Sequence, residues 1–354
     1  MKNLEKYIAL LNDEVDGLLL TSRYSRYYGA EYEIAEGVAI VTKAGCRYFT
    51  DSRYIEPAEK NIQGFEVLVV DRANGYYKRI NDAIADFNVT ALGYEEDYLT
   101  VAELMGYEKN LHAKMVPMNA PIYGLRSVKE EWELALMRKA QQITDTAFAE
   151  VLTKIKAGMT EKELQAELIY CQLKNGADGL AFDPIVVSGP NTSVPHGVAG
   201  DRVIQAGDFI TMDFGAAYKG YCSDMTRTVA VGYATEEMEK VYNTVLKAQE
   251  AALAVSKPGM KGCEIDGTAR KVIEEAGYGQ YFGHGYGHGL GLEVHEAPNC
   301  GPSSQTPLQP GNVCSAEPGI YIAGKFGVRI EDVVIFTENG VENITRSPKN
   351  LIVV

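Results

Sequence analysis

The chain has 354 residues, 46% of them hydrophobic and 23% charged, the composition of an ordinary soluble globular protein and a length at which two domains are the default expectation. A formal net charge of −14 argues against broad binding to nucleic acid or to an anionic membrane, both of which need a basic face. No stretch approaches the roughly 18–20 apolar residues of a membrane span, and the six cysteines (46, 171, 222, 263, 300 and 314) form no CxxC pair, which predicts reduced thiols in a cytoplasmic protein.

Residues 1–12 carry an amphipathic helical pattern, cut by Asn12, Asp13 and Glu14, so the start of the chain does not read as a signal peptide. Short apolar runs at Gly17–Leu20, Val38–Val41, Arg47–Thr50 and Phe65–Val70 predict strands, and residues 52–62 and 75–87 predict helices. This alternation indicates a small α/β domain. The early cluster of Tyr24, Tyr27, Tyr28 and Tyr32 reads as core or interface, since tyrosine buries a ring and keeps a polar tip. Near Pro121–Ser127 the texture changes. Ser127 followed by Glu130 is a helix-start signature, and a helical pattern then runs to about Lys156. The predicted boundary separates residues 1–123 from residues 124–354.

The second part carries a weak internal repeat. Lys156-Ala-Gly-Met-Thr-Glu-Lys-Glu-Leu164 resembles Lys257-Pro-Gly-Met-Lys-Gly-Cys-Glu-Ile265, the Gly-Met pair recurring after 101 residues. Each copy lies between helical patterns and leads to acid-bearing strands, which suggests two related halves facing each other.

The first acid pair lies in Asp208–Gly215 and Tyr221–Val231, joined through the turn residues Lys219-Gly220. A hairpin centred between residues 218 and 219 would set Asp213 directly opposite Asp224, with Cβ atoms about 5 Å apart. Like charges so placed repel, and a divalent cation between them removes the conflict. In the second half Glu317 and Glu331 each stand seven residues from Gly324, a geometry that Pro318-Gly319 can distort. Asp332 alternates to the opposite face and reads as structural. Four carboxylates with a histidine balance two divalent ions, and an oxygen-rich set with one imidazole suits Mn²⁺ or another first-row ion. Two ions about 3.5–4 Å apart with a bridging water form a common hydrolytic device.

Three of the five histidines fall in Gly283-His-Gly-Tyr-Gly-His-Gly-Leu-Gly-Leu-Glu-Val-His-Glu-Ala-Pro298, where alternating glycines let backbone press close to a ligand or metal. No GxxxxGK[ST] phosphate loop occurs. His196, in Ser188-Gly-Pro-Asn-Thr-Ser-Val-Pro-His196, would read alone as an ordinary loop histidine.

Together the motifs SGPNTSVPH, MDFGAAYKGYCSDMTRT, GHGYGHGLGLEVHE, EPGIY and VRIED, in this order, resemble the pita-bread metallopeptidase family in its proline-specific branch, aminopeptidase P and Xaa-Pro dipeptidase (prolidase). The likeness covers essentially the whole chain, and Thr50-Asp-Ser-Arg-Tyr54 resembles the small domain of that branch. It implies an α/β two-domain fold: a creatinase/prolidase-like domain over 1–123 and a pita-bread α+β catalytic domain over 124–354 with an internal pseudo-twofold.

The resemblance also implies site roles. Asp213 would bind one ion, Asp224 and Glu331 would bridge both, and His288 and Glu317 would complete the other. The ions would be Mn²⁺, with Co²⁺, Zn²⁺ and Fe²⁺ as alternatives. Glu317 would double as general base, while His196 and His295 would flank the scissile carbonyl. His284 would line the pocket, and Arg329 would support a metal-binding carboxylate. The implied substrates are short proline-containing peptides, and the implied assembly is a homodimer. Two positions depart from the family pattern. Ser315 stands where Thr is usual, and Asn299 stands where some dipeptidase-like members carry Arg. The second departure favours longer Xaa-Pro peptides, with the dipeptidase as the alternative. Remoter alternatives are a non-catalytic binding protein, which typically loses metal ligands, and a creatinase-like non-peptidase, which works without metal. A methionine aminopeptidase usually lacks the N-terminal domain.

Overall fold

The computed structural model describes residues 3–354, so the first two residues of the predicted N-terminal helix lie outside the described part. The chain divides into two compact units, Met1–Arg126 and Ser127–Val354.

The first unit is built on a six-stranded mixed sheet. Its order is Glu66–Val70, Cys46–Asp51, Val38–Thr42, Gly17–Leu20, Ala91–Tyr94 and Lys114–Pro117. The Gly17–Leu20 strand is buried at every position, which is why it reads as an unbroken apolar run and not as an alternation. Three of the four clustered tyrosines, Tyr24, Tyr27 and Tyr28, lie in the helix Arg23–Ala30, capped by Ser22 through the amide of Ser25, and Tyr32 lies past its end. Tyr28 is buried and meets the Tyr7 ring edge-on, so it belongs to the core.

Two sequence expectations near the boundary need correction. The break expected at Pro121–Ser127 is a helix, Asn119–Ser127; Pro121 sits in its first turn, where a missing amide hydrogen costs nothing. Ser127 starts no helix. The long helix is Glu131–Leu152, and its cap is Glu130, boxed with Glu133.

In the second unit, helix Glu131–Leu152 pairs with Glu161–Lys174, and Glu236–Val255 pairs with Gly262–Glu275. Each pair covers its own apolar core. The first covers the sheet of Met225–Ala230, Phe209–Phe214 and Ile185–Ser188. The second covers the sheet ordered Glu296–Cys300, Gly287–Gly289, Val313–Ala316, Asp332–Thr337 and Gly340–Asn343.

The repeat is visible at atomic level. Gly158 and Gly259 both adopt positive φ, at 96° and 88°. The amide of Gly158 donates to Ile204 O at 2.9 Å, and the amide of Gly259 donates to Leu308 O at 2.8 Å. Helices begin at Glu161 and at Gly262, again 101 residues apart. The acid-bearing strands of the two halves thus stand in equivalent places.

Candidate metal centre

The register of the first acid-bearing hairpin differs from the expected one. Lys219 and Gly220 form a two-residue turn with φ of 45° and 78°, so Tyr218 pairs with Tyr221. The centre moves by one residue and every partner by two: Asp213 faces Thr226. Because strand side chains alternate with a period of two, Asp224 keeps its face and becomes a diagonal neighbour of Asp213. Gly215 permits the local break, since a Cβ there would lie 1.9 Å from Ser223 O.

The second hairpin keeps the expected centre. Gly319 pairs with Arg329 across the turn, and Ala316 pairs with Asp332 in the adjoining sheet. Glu317 and Glu331 face each other between these two paired stretches. Asp332 points away, into a buried ion pair with Arg227 at 2.8 Å, as the alternation predicted.

The two hairpins and the glycine-rich segment close around a cavity of about 1060 Å³. All nine sequence-predicted residues line it: His196, Asp213, Asp224, His284, His288, His295, Glu317, Arg329 and Glu331. Asp224, His288 and Glu331 form the tightest group, with ligand atoms all within 4.8 Å of one another. His288 Nε2 lies 3.3 Å from Glu317 Oε1 and 3.5 Å from Asp224 Oδ2. Its Nδ1 meets the carbonyl of Gly289 at 3.1 Å. A carbonyl only accepts, so Nδ1 carries the proton and Nε2 turns its lone pair to the acids. Glycine is needed beside it: a Cβ on Gly287 would lie 2.1 Å from Ser315 O.

Asp213 stands slightly apart. Its Oδ2 accepts from Arg329 Nη2 at 2.6 Å. Arg329 also donates from Nε to Thr226 Oγ1 (2.9 Å), and Thr226 in turn donates to Glu331 Oε2 at 2.7 Å. Sequence reasoning missed three supporting residues: Thr226, Tyr321 and Ser315. The Tyr321 hydroxyl meets His284 Nε2 at 2.9 Å and Arg329 Nη1 at 3.0 Å, and burial pushes its pKa up to about 12. Ser315, noted only as a departure from threonine, donates to Glu317 Oε1 at 3.1 Å and accepts from the His288 amide at 3.0 Å. Tyr321 and Ser315 each stand an even number of residues from Glu317, which is the one signal that could have found them.

Burial, reinforced by the facing carboxylates, pushes Asp224 and Glu331 well above the usual carboxylate range. Burial also raises Glu317. It lowers His284, His288 and His295, so their neutral, lone-pair forms are favoured. Two acid oxygens, Asp213 Oδ1 and Asp224 Oδ1, are buried without a hydrogen-bond partner. Unsatisfied carboxyl oxygens around a neutral imidazole are the donor set a divalent cation requires. The residues present therefore fit the metal that the sequence implied.

A two-domain α/β chain with this pocket has the makings of a metal-dependent hydrolase, and comparison with known proteins narrows the class. The profile described as metallopeptidase family M24 matches residues 135–338, and that of the creatinase/prolidase N-terminal domain matches residues 4–128. The chain belongs to metallopeptidase family M24. It is 34% identical to the Xaa-Pro dipeptidase of Pyrococcus horikoshii over 99% of both chains. The solved structure of Xaa-Pro dipeptidase from Bacillus anthracis superposes with a TM-score of 0.96 at 41% identity, covering 100% of this chain and 99% of that one. The X-Pro aminopeptidase from Thermotoga maritima superposes with a TM-score of 0.94 at 37% identity, covering 100% of both. The fold is thus the small creatinase-type domain followed by the pita-bread catalytic domain, and the protein is a peptidase of the metal-dependent type. Its relatives are mostly dipeptidases, so they fit the dipeptidase alternative better than the longer-peptide preference read from Asn299. No helix among the described residues is long and apolar enough to cross a membrane.

Proposed function

We propose that the protein is an Xaa-Pro dipeptidase that hydrolyses the bond between an N-terminal residue and a following proline. The observation that carries this reading is full-length likeness to Xaa-Pro dipeptidases combined with an acid and histidine set complete at all five expected positions. Asp213, Asp224, His288, Glu317 and Glu331 would hold two divalent ions, with Asp224 and Glu331 shared; the oxygen-rich set suits Mn²⁺. When bound, such ions supply a water of lowered pKa and Lewis-acid stabilisation of developing negative charge. Glu317 takes the proton of the attacking water. Arg329 holds Asp213 in place and keeps one of its oxygens for the metal. His196 and His295 stand at the rim, where they bind the scissile carbonyl oxygen and deliver a proton to the proline nitrogen. A cytoplasmic homodimer belongs to this proposal on the family resemblance.

One observation favours a second reading, the aminopeptidase P type. Asn299 lines the cavity, and the one arginine among the described residues that line it, Arg329, is already engaged by Asp213 and Tyr321. A pocket without a free arginine has less hold on a dipeptide's carboxylate.

Chelated enzyme assayed on Ala-Pro and Ala-Pro-Ala, with and without Mn²⁺, separates the readings. Metal-restored cleavage of Ala-Pro supports the dipeptidase. Cleavage of the tripeptide alone supports the aminopeptidase. Inactivity on both with Mn²⁺, Co²⁺ and Zn²⁺ overturns the Xaa-Pro reading.

A further inference from the structure

His196 rides on an irregular segment between the strand Ile185–Ser188 and Gly200, with only a short 3-10 turn, Gly189–Ser193, inside it. Its side chain is exposed at the rim of the cavity. An exposed histidine on such a loop needs something to define its place. The loop's two ends converge on one fully buried carboxylate, Glu161, which is 0% exposed. Glu161 Oε1 accepts from the Ser188 amide (2.6 Å), the Ser188 hydroxyl (2.8 Å) and Asn191 Nδ2 (3.0 Å). Oε2 accepts from the Gly200 amide at 3.0 Å. One side chain therefore ties the entry, the turn and the exit of the loop.

Capping does not account for Glu161. Thr160 accepts from the Glu163 amide, and Glu163 accepts from the Thr160 amide at 2.7 Å, so the helix start is served by other groups. Nor would an amide do the same work. All four groups facing Glu161 are used as donors, and a carboxylate accepts on both oxygens while Gln presents an NH₂ on one side.

We infer that Glu161 is the positioning residue for His196: its carboxylate closes the base of the loop and sets where the imidazole stands over the metal-binding acids. Two further ties steady the middle of the loop, from the Gly327 amide to Thr192 Oγ1 at 2.8 Å and from Arg329 Nη1 to Pro195 O at 3.2 Å. Each end also has a tie of its own, from Arg202 Nη1 to Ser188 Oγ at 2.6 Å and from the Lys162 amide to Gly200 O at 3.2 Å, and Glu161 is the side chain that binds both ends at once. The inference rests on the reading above that His196 acts on the substrate.

A double-mutant cycle on the metal-loaded full chain tests it, with Glu161→Gln, His196→Ala and the double variant assayed on Ala-Pro. Misplacement by about 1 Å can cost about 100-fold, so Glu161→Gln is expected to lower kcat about 10- to 100-fold with KM and metal content little changed. In the His196→Ala background it should lower kcat no further. Equal losses in both backgrounds, an unchanged kcat, or a fall in metal content would overturn the inference. Amide hydrogen exchange gives a readout independent of turnover: Glu161→Gln should speed exchange at residues 188–200 and leave the strands Phe209–Phe214 and Met225–Ala230 as they were. Unaltered exchange in the loop overturns the clamp even if activity falls. If His196→Ala or the wild type shows that His196 or Ala-Pro hydrolysis was misread, the exchange result alone decides on Glu161.

Discussion

At the scale of the residue, the metal-binding role proposed for Asp224 works against the stability of the fold. It is 3% exposed, and its Oδ1 has no hydrogen-bond partner. Glu331, Asp213 and Glu317 all act to disfavour its charge. Asp224→Asn keeps the shape and removes the charge. The variant is expected to lose divalent-metal binding and activity, yet to raise the thermal midpoint of the chelated protein, because a buried repulsion disappears. Calorimetry with and without metal checks both halves of this; a chelated variant less stable than the chelated parent would sink the repulsion argument. The identity of such residues was legible because chemistry restricts residue type: acids inside apolar strands and histidines among glycines stand out. Thr226 and Tyr321 did not stand out. A threonine or a tyrosine in a strand is ordinary, and even spacing from a neighbouring acid is a weak mark beside its neighbours in space.

At the scale of the element, buried ion pairs fix how segments meet. Lys129 Nζ lies 2.6 Å from Glu296 Oε1, with side chains 1% and 4% exposed. The pair joins the approach to helix Glu131–Leu152 to the strand Glu296–Cys300, which starts right after His295. Lys129→Met strips Glu296 of its buried cation and is expected to cost about 3–5 kcal/mol. Adding Glu296→Leu should recover much of that loss, since an apolar pair of similar volume suits the same space. Chemical denaturation of the two variants reads the difference, and a single-variant cost under about 1 kcal/mol would place the pair in solvent-like surroundings. Element boundaries were legible where an apolar run or turn chemistry marked them, as in Gly17–Leu20 and in the hairpin centred on Gly324. Legibility failed at Lys219, whose left-handed φ of 45° is uncommon for lysine and shifted the first hairpin by two partners. It failed again at Asn119–Ser127, where Pro121 and Gly124 imitate a loop.

At the scale of the molecule, the catalytic unit is two similar halves that meet at charged groups they could not hold alone. Asp213 and Asp224 come from the first half, and His288, Glu317 and Glu331 from the second. Arg329 of the second half binds Asp213 of the first at 2.6 Å, and Thr226 of the first binds Glu331 of the second at 2.7 Å. The internal repeat announced two halves, and charge balance joined their four carboxylates and a histidine into one set; the tie from Thr226 to Glu331, which spans 105 residues, could not be read locally. Metal bound at this seam should therefore stabilise both halves together. At a free-metal concentration of 100 Kd the gain is about 2.7 kcal/mol, or roughly 5–10 °C in a unit of this size. Chelation is expected to lower the melting transition by that amount. It should also speed hydrogen exchange in Phe209–Phe214 and in Val313–Ala316 to similar extents, while the sheet of Met1–Arg126 keeps its protection. The outcome that would break this picture is a response confined to one half. In that case the five groups would not act as one centre, and the four carboxylates would have to be divided between a metal site and a separate network held by Arg329.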